Sequence, residues 1–359
     1  MKEALVSAGP KVEITDSPIP EPNDDQVLIK VIVSGSNPKD WKVPQHLGGA
    51  TNQGDDIAGI VEKVGANVYE FRPGDRVGAF HEMLTPHGSY AEYAIAWQHT
   101  TFHIPNETSF EEAATIPLAA MTAAVALYLR LDLPPPWSAI ATAQQQPPTP
   151  TTPTPLIIYG ASSAVGIYAT QLALRSGIHP LLCVAGRASD YVAGFLDTSR
   201  GDVVIDYRQG DEKVVEGLVR ELEKYRGDGG DVAPVLVLDA VSEGGTIRNI
   251  GRVLERVGGG GGEGGKGKVT LVLGGGDEKL PDWVERSNTS VGGVHKAAKD
   301  FGFVYFRYFA RGLREGWFKP QRFEVVPGGL AGIQGALEKL KDGKASAVKY
   351  VFRIGETEG

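Results

Sequence analysis

The segment of this chain best suited to chemistry is LIIYGASSAVGIYATQLA, residues 156–173. Its apolar start predicts a buried strand ending at Tyr159, and a turn of small residues from Gly160 to Gly166 leads into a helix. Small residues let the backbone approach a diphosphate, and the free N–H groups at a helix start favour its negative charge. The spacing departs from the GxGxxG pattern, so the match gains weight from the alternating strands and helices around it. We expect a dinucleotide site formed by Gly160, Ser162, Ser163, Ala164, Val165 and Gly166.

The end of the next predicted strand, CVAGRASDY, indicates which dinucleotide is bound. NAD enzymes usually carry an acidic residue here for the ribose hydroxyls, whereas this chain has Arg187, which suits a 2′-phosphate. Asp190 comes late for the ribose and is expected to cap the following helix. Tyr207 follows a further short strand, where its hydroxyl either reaches the same phosphate or belongs to a surface tyrosine. The residues favour NADP(H).

Composition excludes several other classes of protein. The net charge of −8 gives no basic stripe for a nucleic acid. The one cysteine, Cys183, excludes an intramolecular disulfide and a zinc site built on several thiolates. His81, His87, His99 and His103 are scattered, so no metal site is expected. We find no signal peptide and no window near the roughly 18 apolar residues that span a membrane, so we expect a cytoplasmic protein.

The elements that must position these residues fall into two groups. Residues 1–105 contain β-branched runs separated by Gly, Pro and Asp, which predicts an antiparallel β-domain. Residues 109–131 begin with a capping Ser and become Ala-rich, which predicts a buried helical segment broken at Pro117. The alternation of strands and helices after residue 155 predicts a doubly wound parallel sheet. Two low-complexity stretches interrupt it: a Pro-rich insertion at 134–155 and a flexible Gly-rich loop at 257–268.

Taken together, eight ordered segments resemble the medium-chain dehydrogenase/reductase superfamily over nearly the full length of the chain. The resemblance is strongest to its zinc-free fungal branch of quinone oxidoreductase-like proteins and trans-acting enoyl reductases. It implies an α/β fold with a GroES-like catalytic domain, residues 1–125 and 310–359, and a Rossmann domain, residues 126–309. The segments are SGSNPKDWK, GDDIAGIVEKVG, FRPGDRVGAF, GSYAEYAIA, SFEEAATIPLAAMTAAVALY, LIIYGASSAVG, IDYR and GKASAVKYVFRI.

The resemblance also implies roles for individual residues. Zinc-dependent relatives have Cys at the position of Ser36 or Asn37 and Gly-His-Glu at Gly54-Asp55-Asp56, so no zinc is expected. The stretch from Met121 to Tyr128 matches the substrate-facing helix, although core packing accounts equally well for its apolar character. Expected cofactor contacts are Asn37, Lys39, Asp40, Trp41 and Lys42, then Ala185, Gly186, Arg187, Ala188 and Tyr207, and finally Ser346 and Ala347. Expected substrate contacts are Met121, Thr122, Ala123, Ala124, Val125, Ala126, Leu127 and Tyr128.

The implied reaction is hydride transfer from NADPH to an activated double bond in an enone or enoyl thioester, or to a quinone. Without a metal, hydrogen-bond donors must meet the charge on the carbonyl oxygen, and Lys42 and Thr122 are the candidates. A polyketide synthase partner and a monomeric or homodimeric state are both compatible with the resemblance. A different class stays open: an NADPH-binding interaction protein without turnover, which docks through the Pro-rich insertion.

Overall fold

The computed structural model describes residues 1–138, 154–226, 234–258, 267–274, 276 and 278–358. The chain divides into two compact units, and the predicted α/β fold class is confirmed. Unit one contains Met1–Met121 and Val291–Gly359, and unit two contains Thr122–Ser290. Most of the two low-complexity stretches lies outside the described residues.

Unit one resumes at Val291, earlier in the chain than the boundary at 310 taken from the sequence. The reason is the helix Lys299–Glu315, which packs within unit one. Its Phe306 stacks on Phe102 with 5.7 Å between ring centroids, and its Arg307 pairs with Glu70.

A largely antiparallel sheet forms the framework of unit one. Its strands follow the order β14-β15-β3-β4-β5-β7, with β6 also paired to β3, and β1 and β2 form a separate pair. Alternating Val and Ile residues of these strands form a core that excludes water. The strands are β1 Lys2–Ser7, β2 Lys11–Asp16, β3 Gln26–Gly35, β4 Asp56–Val64, β5 Arg76–Phe80, β6 Tyr93–Trp97, β7 Thr101–His103, β14 Phe323–Val325 and β15 Lys349–Arg353. The helices are α1 Lys39–Leu47, α2 Phe110–Ala113, α3 Pro117–Ala124, whose last residues enter unit two, α8 Lys299–Glu315 and α9 Ile333–Lys341.

The predicted capping residue of the apolar segment is Ser109. Its side chain accepts a hydrogen bond from the Glu112 N–H, and the Glu112 carboxylate accepts one from the Ser109 N–H. The expectation that no apolar window reaches membrane-spanning length is wrong for Phe110–Arg130, which is long and apolar enough. Because 83% of that window is buried inside the protein, the segment has the environment of a core helix.

Unit two is a six-stranded parallel sheet with helices along it. The strand order is β10-β9-β8-β11-β12-β13, so the first strand of the unit, β8, lies between the second and the fourth. The order therefore reverses direction beside β8, as in doubly wound dinucleotide-binding sheets. The strands are β8 Leu156–Tyr159, β9 Leu181–Ala185, β10 Val203–Asp206, β11 Leu236–Asp239, β12 Gly267–Leu271 and β13 Val284–Asn288. The helices are α4 Ala164–Arg175, α5 Ser189–Ala193, α6 Asp211–Glu223 and α7 Thr246–Val257.

Candidate active site

The turn of small residues lies at the carboxyl end of β8, where ligands of doubly wound sheets bind. Gly160 has a φ of +80°, a left-handed conformation that favours glycine. A Cβ atom at Gly166 would lie 2.3 Å from the Gly160 carbonyl oxygen, so the start of α4 packs directly on the turn. Gly160 therefore permits the tight turn, and Gly166 permits the close approach of the helix to that turn.

The start of α4 offers donors for an anion. The Ser163 hydroxyl accepts a hydrogen bond of 3.0 Å from the Gly166 N–H and caps the helix. Within the described part of the chain, the N–H groups of Ala164 and Val165 have no acceptor, and both residues are partly exposed. Such N–H groups at a helix start suit a diphosphate, so the backbone fits a dinucleotide.

The second part of the nucleotide site follows β9. A Cβ atom at Gly186 would lie 2.5 Å from the Tyr207 ring, which shows that this half-exposed ring covers the end of β9. Arg187 is exposed beside it. Arg208, which follows Tyr207, forms an ion pair with Asp206. Gly186 and Tyr207 therefore lie together, and the role of Arg187 in cofactor binding stays a prediction.

The expected capping role of Asp190 is wrong. The residue before α5 is Ala188, which makes no side-chain cap, and Asp190 lies in the first turn of the helix. Ser189 instead donates a hydrogen bond to the Gly186 carbonyl, so the chain turns too early for Asp190 to cap it. The acidic side chain still favours the helix through its position near the positive end of the helix dipole.

Unit one contains a buried cluster of charges around Asp56. Its Oδ2 atom accepts hydrogen bonds from the Lys349 ammonium at 2.5 Å and the Asn37 amide at 2.7 Å. Its Oδ1 atom accepts one from the Leu118 N–H at 2.7 Å. Lys349 also donates to Asn37 Oδ1 at 3.1 Å. The side chains of Lys349 and Asp56 are 3% and 0% exposed, so this ion pair is shielded from water.

A second buried ion pair lies beside the first. The Lys39 ammonium contacts Asp55 Oδ2 at 2.5 Å, the Gln53 carbonyl at 2.6 Å and Asp40 Oδ1 at 3.2 Å. Asp40 Oδ2 accepts a 2.6 Å hydrogen bond from the Tyr90 hydroxyl. The contact to the Gln53 carbonyl is a hydrogen bond, and the two carboxylate contacts are ion pairs. The sequence places Lys39 and Asp40 beside a cofactor, whereas the structure shows their side chains occupied with one another and with neighbours in unit one.

Burial governs the protonation of this second cluster. Desolvation raises the pKa of Asp40 and that of Asp55 to about 6, although Lys39 opposes both shifts. Burial alone would lower the pKa of Lys39, but Asp55 and Asp40 raise it. The lysine therefore stays charged, and the carboxyl groups titrate close to neutral pH.

We expect Asp40→Asn to flatten the pH dependence of stability. A carboxyl whose pKa is higher in the folded than in the unfolded protein stabilises the fold below pH 4. That contribution is lost as pH rises through about 6. The loss amounts to roughly 3 kcal/mol for a shift of this size. Urea unfolding from pH 4 to 7 measures it, and the exposed Asp16→Asn is the control. If the free energy of unfolding changed equally with pH in wild type and Asp40→Asn, the raised pKa of Asp40 would be contradicted.

The remaining cofactor candidates of unit one lie on α1 and before β15. Trp41 is partly buried against the core, and its indole N–H has no acceptor in the described structure. The Lys42 ammonium lies 5.5 Å from the centre of the Trp41 ring. Ser346 and Ala347 form a bend that Val348 separates from β15, and Ala347 has a φ of +51°. All four stay candidates for cofactor contact.

The expected substrate stretch from Met121 to Tyr128 is buried throughout. Its last residue is the best defined, because the Tyr128 hydroxyl contacts the Leu172 carbonyl at 3.1 Å and Ser176 Oγ at 2.9 Å. Tyr128 thus anchors this stretch to α4 within unit two. Thr122 is 6% exposed.

Among the residues that the structure describes, no group of three or more His, Cys, Asp or Glu side chains is arranged to hold a metal ion. His81 instead contacts the Ile95 carbonyl at 2.7 Å, and burial lowers its pKa. Asp55 and Asp56, at the positions of the zinc relatives' His and Glu, each pair with a lysine. An ammonium beside each carboxylate repels a divalent cation, so these residues do not fit a zinc ion.

Comparison with known proteins adds to this geometry. Residues 23–106 match the alcohol dehydrogenase GroES-like domain. The chain is 45% identical to the trans-enoyl reductase fsr4 of Gibberella fujikuroi, over 92% of each chain. It is 32% identical to the trans-enoyl reductase resD of Aspergillus sclerotiorum, over 98% of this chain and 100% of that protein. The solved structure of the CurK enoyl reductase has a similar fold, with a TM-score of 0.71 and 19% identity over 98% of each chain.

Proposed function

Because the chain belongs to the trans-enoyl reductases of the medium-chain dehydrogenase/reductase superfamily, we propose that it reduces the double bond of a carrier-bound enoyl thioester with NADPH. The chain is an enzyme, an enoyl reductase with the fold of this superfamily. The observation that carries the proposal within the structure is the glycine turn at the reversal point of the unit-two sheet. The relatives' names indicate enoyl reduction, and a polyketide synthase that presents the thioester is our proposal from the family resemblance.

Family membership implies a nicotinamide cofactor, and its preference for NADPH is our proposal. The backbone from Gly160 to Gly166 would hold the diphosphate, and Arg187 with Tyr207 would hold the 2′-phosphate. The bound cofactor would supply a hydride to the β-carbon of the substrate. An arginine at the end of β9, where NAD enzymes have an acid, supports this preference.

The protein side chains have a separate task during the reaction. Negative charge develops on the thioester carbonyl oxygen, and donors fixed in advance stabilise it. We propose Lys42 and Thr122 for this role, with water as the source of the proton. The ion pairs of Asp55 and Asp56 with lysines support a reaction that uses no zinc.

Quinone reduction is the second candidate function. It uses the same cofactor site and requires no carrier, and the sequence resembles quinone oxidoreductase-like proteins as well. A binding protein without turnover is the third candidate, although its proposed docking element at 134–155 lies largely outside the described residues. The buried, single Cys183 agrees with a cytoplasmic protein, which we propose as the location.

The test is NADPH oxidation by the purified protein with crotonyl thioester, a simple enone and a quinone as acceptors, and NADH as the alternative cofactor. We expect turnover that is fastest with the thioester and that survives chelators. Turnover with the quinone alone would favour the second candidate, and NADPH binding without turnover on any acceptor would favour the third.

We expect Arg187→Ala to weaken NADPH binding about 10-fold and leave NADH binding unchanged, because a charge-assisted contact to the 2′-phosphate is lost. Fluorescence titration of both cofactors measures this. Arg208→Ala is the matched control, since that arginine pairs with Asp206. Equal losses for NADPH and NADH in Arg187→Ala would contradict the 2′-phosphate assignment.

A further inference from the structure

One carboxylate joins the starts of two helices in unit one. Asp56 Oδ1 accepts a hydrogen bond from the Leu118 N–H in the first turn of α3, and Asp56 Oδ2 accepts one from the amide of Asn37, two residues before the first residue of α1. α1 carries Lys42, and α3 carries Thr122 one turn beyond Leu118. The two side chains proposed to stabilise the substrate carbonyl therefore depend on helices that Asp56 ties together.

Lys349 completes this arrangement from a distant part of the chain. Its ammonium donates to Asp56 Oδ2 and to Asn37 Oδ1, so it fixes both the carboxylate and the orientation of the amide. The side chains of Lys349 and Asp56 pack closely against the neighbouring Gly35. A Cβ atom there would lie 3.0 Å from Lys349 Cε and 3.1 Å from Asp56 Cβ. All three polar side chains are at least nine-tenths buried, so no water replaces these contacts readily.

We propose that Lys349 is a positioning residue. Through Asp56 and Asn37 it sets the starts of the helices α1 and α3, and with them the position of Lys42 along α1 and that of Thr122 along α3. The inference rests on the proposed function. Neutralising the buried charge of Asp56 is a simpler role for Lys349, and the experiment below separates the two.

The experiment compares Lys349→Met, Lys349→Met/Asp56→Asn and Lys349→Arg. Lys349→Met removes the cation that pairs with the buried Asp56 carboxylate. We expect the melting temperature of this variant to fall by roughly 10 °C. The double variant removes that charge, so it regains most of the melting temperature. Its kcat stays at least about 10-fold below wild type with little change in KM, because misplacement of catalytic groups slows the chemical step.

Lys349→Arg keeps the charge but not the shape of the ammonium. A positioning role predicts the same loss of kcat with a nearly normal melting temperature, so this variant tests the proposal even if the others fail to fold. Lys63→Met, which breaks the exposed Lys63–Glu21 pair of the same unit, is the control and leaves kcat unchanged. Wild-type kcat in the double variant or in Lys349→Arg would overturn the proposal.

Hydrogen exchange gives a readout that does not depend on turnover. The Leu118 N–H is held by Asp56, so we expect its exchange to be at least about 10-fold faster in Lys349→Arg and unchanged in Lys63→Met. Unchanged exchange would overturn the positioning role whatever the reaction. An inactive wild-type protein with this exchange pattern would instead refute the proposed function and leave the arrangement of the helices in place.

Discussion

Gly166→Ala is expected to weaken NADPH binding between about 10-fold and 100-fold. The new Cβ atom would lie 2.3 Å from the Gly160 carbonyl oxygen and 2.7 Å from Ala161 Cα, and both are backbone atoms that cannot rotate away. Overpacking of this kind costs about 1 to 3 kcal/mol, and moving the turn away from α4 relieves it at the expense of the diphosphate contacts. Fluorescence titration with NADPH measures the loss.

Gly251→Ala is the matched control for this change. Gly251 is also a helical glycine of unit two, on α7, but a Cβ atom there has its nearest neighbour at 3.6 Å. The substitution therefore fits, and the higher helix propensity of Ala stabilises α7 by up to about 1 kcal/mol. If Gly166→Ala bound NADPH as tightly as Gly251→Ala does, the turn after β8 would not be the diphosphate site.

The nucleotide site was accessible from the sequence because it is local. The strand to Tyr159, the small-residue turn and the helix are consecutive, and hydrophobic periodicity with glycine positions predicts each of them. The residues alone left Tyr207 open between a phosphate contact and a surface tyrosine, and its proximity to the end of β9 became visible only in the structure. The fold class followed from these patterns and the reaction type from the family resemblance, and both are confirmed.

The charge cluster of unit one was not accessible in this way. Lys349 and Asp56 are separated by 293 positions, and no local pattern indicates that their strands, β15 and β4, lie on either side of β3. The resemblance identified the segment NPKDWK but not the direction of its side chains. The side chains of Asn37, Lys39 and Asp40 contact Asp56, Asp55 and Tyr90, respectively, within unit one. One signal was available: Asp55 and Asp56 lie at the edge of an apolar strand, where buried acids require a partner.

The second large effect is expected at Lys39, and it separates a structural role from a cofactor role. Lys39→Met removes the cation that the buried Asp55 and Asp40 share, which costs roughly 3 to 5 kcal/mol in the free energy of unfolding. In Lys39→Met/Asp55→Asn one of the two carboxylates becomes neutral, so part of that stability returns. Urea unfolding at pH 7.5, where both carboxyl groups of the wild type are ionised, measures these differences.

NADPH affinity of the same double variant decides between the two roles. The Lys39 ammonium donates to the Gln53 carbonyl and lies within ion-pair distance of Asp55 and Asp40, so we expect the folded double variant to bind NADPH within about 2-fold of wild type. A loss of 10-fold or more in this stabilised background would show that Lys39 contacts the cofactor, as the resemblance implies. A free energy of unfolding within about 1 kcal/mol of wild type for Lys39→Met would instead show that the ion pair is not formed in solution. A buried carboxylate that has lost its cation destabilises the fold by more than this.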